Sequence, residues 1–125
     1  LERLPEVLKK YSCVVTFNGA VFDLPFIKKS FDQIVLPSLH IDLRPVLRSI
    51  GYTGGLKAIE KTLGLEREDD LKGLTGYDAV KLWRRYEKGD EKALDLLIRY
   101  NIADIENLKF LMNFSYDKKK AMLGF

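Results

Sequence analysis

Apolar and polar positions along this chain alternate in short blocks, with strand-like runs confined to the first third and helical spacing dominating the rest. Residues 5–10 read as the end of a helix, with Pro5 tolerated in a first turn where its missing N–H has no helical partner to lose. Cys13-Val14-Val15-Thr16-Phe17 is a β-branched and aromatic run that stops at Asn18-Gly19, which predicts a buried strand followed by a turn. Beyond it Phe22, Phe26, Ile27 and Phe31 are apolar at helical spacing, while Lys28, Lys29 and Ser30 are polar. Pro25 fits such a helix only in its first turn, which sets the start near Asp23. His40-Ile41-Asp42-Leu43 predicts a second short strand after Pro37, and residues 44–50 a short helical turn. Gly51, Gly54 and Gly55 then interrupt the pattern. Residues 56–63 predict a compact amphipathic helix stopped by Gly64, and the charged stretch 66–73 a loop.

Two longer helices complete the chain. Thr75-Gly76-Tyr77-Asp78 has the form of a capping box and opens a helix to about Lys88; Gly89 ends it, and Asp90 caps another that runs to about Asn113. At about 100° per residue, Leu94, Leu97, Ile98, Ile105, Leu108 and Met112 fall on one apolar stripe. Tyr100 and Asp104, four apart, line one edge of it, and Asn101 points into it. A β-α-β order followed by helices predicts an α/β fold with a helix-rich C-terminal half. The length of 125 residues suits one domain over residues 1–125, with a basic tail from about 115 to 125. Two strands make a thin sheet, so further strands are expected ahead of Leu1 and the domain reads as N-terminally truncated.

Composition narrows the class. With 46% hydrophobic residues the chain is too apolar for global disorder, and no apolar run approaches the roughly 20 residues of a bilayer span. No membrane partner is expected, and the missing signal pattern points to the cytoplasm. Cys13 is the only cysteine and His40 the only histidine, which excludes an internal disulfide and cysteine- or histidine-cluster zinc sites. Cys13 is expected to be a buried, unreactive thiol, and His40 to pack beside its strand. The net charge of +3 proves little, but Lys118, Lys119 and Lys120 cluster, as do Lys81, Arg84, Arg85 and Lys88. Among the latter, Trp83 is expected in the core with solvated basic neighbours; base stacking by Trp83 and Tyr86 is the alternative. Glu60 is expected to face solvent, Asp42 to make a structural hydrogen bond, and Asp78 to serve its capping box.

Two segments carry candidate chemistry. In Phe17-Asn18-Gly19-Ala20-Val21-Phe22-Asp23-Leu24-Pro25-Phe26, an acid opens a helix just past a strand and a glycine turn. It either caps that helix or faces the crevice where α/β folds bind ligands. In Tyr100-Asn101-Ile102-Ala103-Asp104, a tyrosine and an acid share one helix edge, open either to a cleft or simply to solvent. Together, Phe-Asn-Gly-x-x-Phe-Asp-x-Pro-Phe followed by Tyr-x-x-x-Asp resembles the second and third motifs of the DEDD 3′–5′ exonucleases, DEDDy type, of the ribonuclease-H-like superfamily. The Asn18-to-Asp23 spacing is most similar to the exonuclease domains of family B DNA polymerases. The segments around His40-Ile41-Asp42-Leu43, Leu56-Lys57-Ala58-Ile59-Glu60 and Gly76-Tyr77-Asp78-Ala79-Val80 resemble predicted stand-alone exonucleases.

The resemblance implies a ribonuclease-H-like fold and metal-dependent hydrolysis at the 3′ end of a single-stranded nucleic acid. It implies Asp23 and Asp104 as ligands of a two-metal Mg2+ or Mn2+ site, and Asp23, Tyr100 and Asp104 as catalytic residues. Tyr100 matches the tyrosine that orients water and phosphate, and Asn18 and Phe22 fall beside the terminal nucleotides. Hard cations prefer carboxylate oxygens, which is why acids rather than thiols fill such positions. The family's first motif, Asp-x-Glu, does not occur before Asp23, so half of the metal cage is missing from this chain and the fragment is expected to be incomplete. Two other readings stay open: a non-catalytic nucleic-acid-binding module of the same fold, and a structural or interaction domain. A sheet edge left exposed by truncation would favour a homodimer.

Overall fold

Two four-residue strands, β1 (Cys13–Thr16) and β2 (Leu39–Asp42), pair in parallel in the computed structural model, which describes residues 2–124. Cys13 lies against Leu39 and Thr16 against Asp42. A parallel pair needs a crossover longer than a hairpin, and here it carries α2 (Asp23–Ser30). α1 (Leu4–Leu8) precedes β1; α3 (Leu43–Ser49), α4 (Leu56–Leu63), α5 (Gly76–Glu87) and α6 (Glu91–Met122) follow β2. The architecture is α/β and rich in helix towards its C-terminal half, as the hydrophobic pattern predicts. No helix among the described residues is long and apolar enough to cross a membrane.

The chain forms two compact units. One comprises the residues up to Ile59 together with those from Leu111 onward; the other is Glu60–Phe110. The first holds the strand pair and α1 to α3, and buries Leu43, Leu47, Ile59 and Leu111 almost completely. In it the ring of Phe114 meets Tyr52 edge-on at 5.2 Å between centroids. Cys13 is only half-buried, because a sheet of two strands cannot cover both its faces. The second unit is helical and buries Leu71, Leu82, Ala93 and Tyr100.

Local chemistry sets the helix ends. The Thr75 hydroxyl accepts from the Asp78 N–H at 3.3 Å, and the Asp78 carboxylate accepts from the Thr75 N–H at 2.9 Å, a complete capping box for α5. That backbone N–H, with help from the Thr75 hydroxyl, holds the Asp78 carboxyl below the usual carboxylate range. Asp90 caps α6 by accepting from the Ala93 N–H at 3.2 Å, and Arg85 grips the same carboxylate at 2.8 Å. Gly64, at φ +72, closes α4: its N–H reaches the Lys61 carbonyl and the Leu65 N–H reaches the Glu60 carbonyl, a Schellman turn.

Several positions depart from the sequence reading. Leu43 starts a helix instead of ending a strand, because the Asp42 carboxylate accepts from the Arg44 N–H at 3.1 Å and caps α3. α6 continues beyond Asn113 to Met122, and Lys119 and Lys120 ride its last turn, where cations suit the helix dipole. The buried face of α6 runs through Ala93, Tyr100, Leu111 and Ser115. Ile98 and Ile105 are exposed, as is Asn101, so the stripe is rotated from its expected line. Trp83 is exposed, not packed in the core.

Gly19 is a position where no side chain fits. A Cβ there would stand 2.4 Å from Thr16 Cβ and Oγ1, and Thr16 is itself buried. Gly19→Ala is expected to destabilise the protein by about 1–3 kcal/mol through this overpacking, measured as a lower urea midpoint with unchanged slope. Gly55→Ala, where a Cβ meets nothing within 4 Å, is expected to leave the midpoint within about 0.5 kcal/mol.

Candidate functional site

The first segment sits at the carboxyl end of β1. Asn18 takes the left-handed conformation, φ +62, which reverses the chain directly after the strand. Asp42, at the end of the neighbouring strand, holds that reversal: one oxygen accepts from the Asn18 N–H at 2.7 Å and the other from the Ala20 N–H at 3.3 Å. Thr16 holds it from within, its hydroxyl oxygen accepting from the Gly19 N–H at 3.1 Å and bonded to His40 Nε2 at 2.8 Å. Asp42 is therefore structural, with three backbone donors on one carboxylate, and His40 packs beside its strand as expected.

The turn delivers Phe22 and Asp23 to the outside. Phe22 is the N-cap of α2 and 65% exposed; Asp23 is the first residue of the helix and exposed. No side chain caps this helix, so Asp23 is not held as an N-cap, and it makes no ion pair among the described residues.

The second segment lies in the helical unit, around a side chain that sequence reading missed. The Schellman turn after α4 folds the chain back so that Arg67, 6% exposed at its side chain, lies against Glu60, 4% exposed. Arg67 Nε and Nη2 donate to the two Glu60 oxygens at 2.7 and 2.9 Å, a bidentate fork. Nη2 also donates to Asp104 at 2.5 Å, and the guanidinium carbon stands 5.5 Å from the centre of the Tyr100 ring. Asn107 donates to Glu60 at 2.6 Å. Burial works against the Arg67 charge, but the hydrogen bonds and charges of Asp104 and Glu60 outweigh it and raise its pKa above the ordinary arginine value. Arg67 Nη1 is buried with no hydrogen-bond partner among the described residues.

Tyr100 and Asp104 are thus brought together through one cation. Tyr100 is buried, and Asp104 is about one-third exposed. Glu60 does not face solvent. It stands in the apolar set Leu56, Ile59, Glu60, Leu63, at the i, i+3, i+4, i+7 positions of α4, and that spacing was the signal for its burial. Arg67 carries no such signal, because it sits in a charged, irregular stretch.

Carboxylates are the right donors for hard divalent metal ions. Among the described residues, however, no group of three or more His, Cys, Asp or Glu side chains is spaced to hold a metal ion. Asp23 and Asp104 belong to different units, and Asp104 already binds a guanidinium. The residues present do not make a metal cage by themselves.

A family profile described as the RNase H superfamily matches residues 1–116. The DNA polymerase 1 of Aeropyrum pernix is 31% identical over 132 residues, an alignment that covers 90% of this chain and 13% of that protein. The chain therefore spans a small part of that relative's length. No solved structure matches.

Removing the cation tests how far this cluster supports its unit. Arg67→Met would leave Glu60 buried without its counter-charge, and a loss of about 3–5 kcal/mol is expected in urea unfolding. Arg67→Lys keeps a charge but cannot form the fork, and should fall between the two.

Proposed function

The chain belongs to the RNase H superfamily, and from that premise we propose that it is the catalytic part of a metal-dependent 3′–5′ exonuclease acting on single-stranded DNA. Asp23 and Asp104 are assigned as carboxylate ligands, Tyr100 as the residue that orients the attacking water and the scissile phosphate, and Asn18 and Phe22 as contacts to the terminal nucleotides. The choice of DNA rests on the printed name of the relative, a DNA polymerase. One observation carries the reading: Tyr100 and Asp104, one helical turn apart, are held by the same buried arginine. The exposed, uncapped position of Asp23 supports the assignment from the other segment.

Divalent ions, Mg2+ or Mn2+, would supply the Lewis acid for phosphodiester hydrolysis, with Asp23 and Asp104 as part of a ligand set that these residues do not complete. What the chain itself contributes is placement. Asp42 fixes the turn that presents Asn18, Phe22 and Asp23, and Arg67 limits the rotamers open to Asp104.

The test is release of mononucleotides from a 5′-labelled single-stranded DNA in Mn2+ by the whole product of the gene. Asp23→Asn is expected to lower the rate by at least about 100-fold with melting temperature little changed; Asp104→Asn is expected to lower the rate as much and the melting temperature as well, because it takes a counter-charge from the buried Arg67. Rates equal to the parent's would remove these acids from the site. Reading the coding sequence ahead of Leu1 for a strand that bears Asp-x-Glu tests the same assignment independently.

A further inference from the structure

α5 has an inner face that is filled without its tryptophan. Leu82 is buried, and Asp78, Ala79 and Tyr86 are half-buried, which accounts for the side turned to the unit's interior. The outward side carries Tyr77, Val80 and Trp83, exposed at 67%, 46% and 48%. Scattered exposed apolar residues are ordinary, but two aromatic rings and a valine along one short helix form a patch. Tyr77, Lys81, Arg84 and Lys88 follow at i, i+4, i+7 and i+11, so the three cations line the side of Tyr77, while Trp83 lies about 120° round the helix from Tyr77, with Val80 between the two rings.

These cations are available for a partner. The Asp78 carboxylate is committed to its capping box, and Asp90 is committed to Arg85. Arg84 and Lys88 make no ion pair among the described residues. The Lys81 ammonium lies 4.5 Å from the centre of the Tyr77 ring, a cation–π contact that leaves it accessible. Tyr86 lies beside the indole of Trp83, with ring centroids 5.4 Å apart and planes tilted by 47°. Glu87 is the one exposed acid on the helix.

Alternating flat rings and unpaired cations match a ligand that alternates bases and phosphates. We propose that the exposed side of α5 binds single-stranded DNA, with Tyr77 and Trp83 stacking on bases and Lys81, Arg84 and Lys88 facing phosphates. The two rings are six positions apart, about 9 Å along the helix, so they engage different bases. Stacking of this kind tolerates any sequence, because every base offers a π-face, and the cations give the contact its salt dependence. The surface takes from the proposed nuclease reading only the choice of DNA; its residues are separate from Asp23, Tyr100 and Asp104.

Trp83 is the only tryptophan in the chain, so its emission reports on this surface alone. A short mixed-sequence single-stranded DNA titrated into the whole chain is expected to quench Trp83 emission saturably, with affinity falling as salt rises. Tyr77→Ala and Trp83→Ala, read by anisotropy of a labelled oligonucleotide, should each weaken binding about tenfold. Replacing Lys81, Arg84 and Lys88 by Gln should reduce the log–log salt slope by about 2. DNA bound with Trp83 emission unchanged would overturn the proposal. So would equal quenching by polyglutamate, tighter binding of an RNA of the same sequence, or quenching by added protein alone with a doubling of mass. If a variant does not fold, quenching in the parent protein decides the matter. Quenching without hydrolysis would uphold this surface and remove the nuclease reading; hydrolysis without quenching would do the reverse.

Discussion

A guanidinium almost sealed from water, forked onto one carboxylate and reaching a second, is the constraint on which the helical unit depends. Arg67 is charged under all ordinary conditions, so it cannot escape burial by neutralisation as a lysine or histidine can. Its position is tolerable only because Glu60 and Asp104 surround it, and Glu60 is tolerable only because Arg67 and Asn107 satisfy its oxygens. Each charge licenses the next. The interlock explains why polar residues occupy the inner line of α6, at Asp104 and Asn107, while Ile98 and Ile105 face outward.

The strand-bearing unit solves a similar problem with a neutral backbone in place of a cation. Turning sharply after β1 takes the N–H groups of Asn18, Gly19 and Ala20 out of the sheet ladder, and those of the half-buried Asn18 and the buried Gly19 must be satisfied. Asp42 and Thr16, paired across the two strands, accept all three. The first site segment is therefore shaped by the register of the sheet: slipping β2 by one residue would withdraw the Asp42 carboxylate and carry His40 away from Thr16. Both motif segments are supported by side chains outside the motifs themselves.

Where structure follows local rules, the sequence is readable. Pro25 and Asn18-Gly19 mark the turn and the start of α2, Gly64 marks the end of α4, and Thr75 with Asp78 marks the start of α5, since each acts within a few residues. The strand boundary at Leu43 was obscured because one residue, Asp42, ends a strand and caps a helix at once. The inner line of α6 departs from the reading because hydrophobicity alone places Ile98 and Ile105 inside, whereas a buried cation seven residues beyond Glu60 draws the helix edge that carries Asp104 towards it. Arg67 could not be found from its own surroundings: nothing in a charged stretch distinguishes a sealed arginine from a solvated one. Trp83 inverts the case, being a large ring that hydrophobicity sends inward and an already filled interior leaves outside. Among the site residues, Asp23 and the Tyr100–Asp104 pair were visible as motifs, but the groups that hold them were not.

The turn after β1 also bears on chemical ageing. Asparagine followed by glycine is the pair most prone to deamidation, in which the glycine amide nitrogen attacks the asparagine side chain and closes a succinimide. Here that nitrogen belongs to Gly19, which is buried, and its hydrogen is engaged by the Thr16 hydroxyl. The left-handed setting of Asn18 is fixed in turn by Asp42, so the swing needed for ring closure is resisted from both sides. A dipeptide that would be a clock in a loose loop is kept from running by the fold around it.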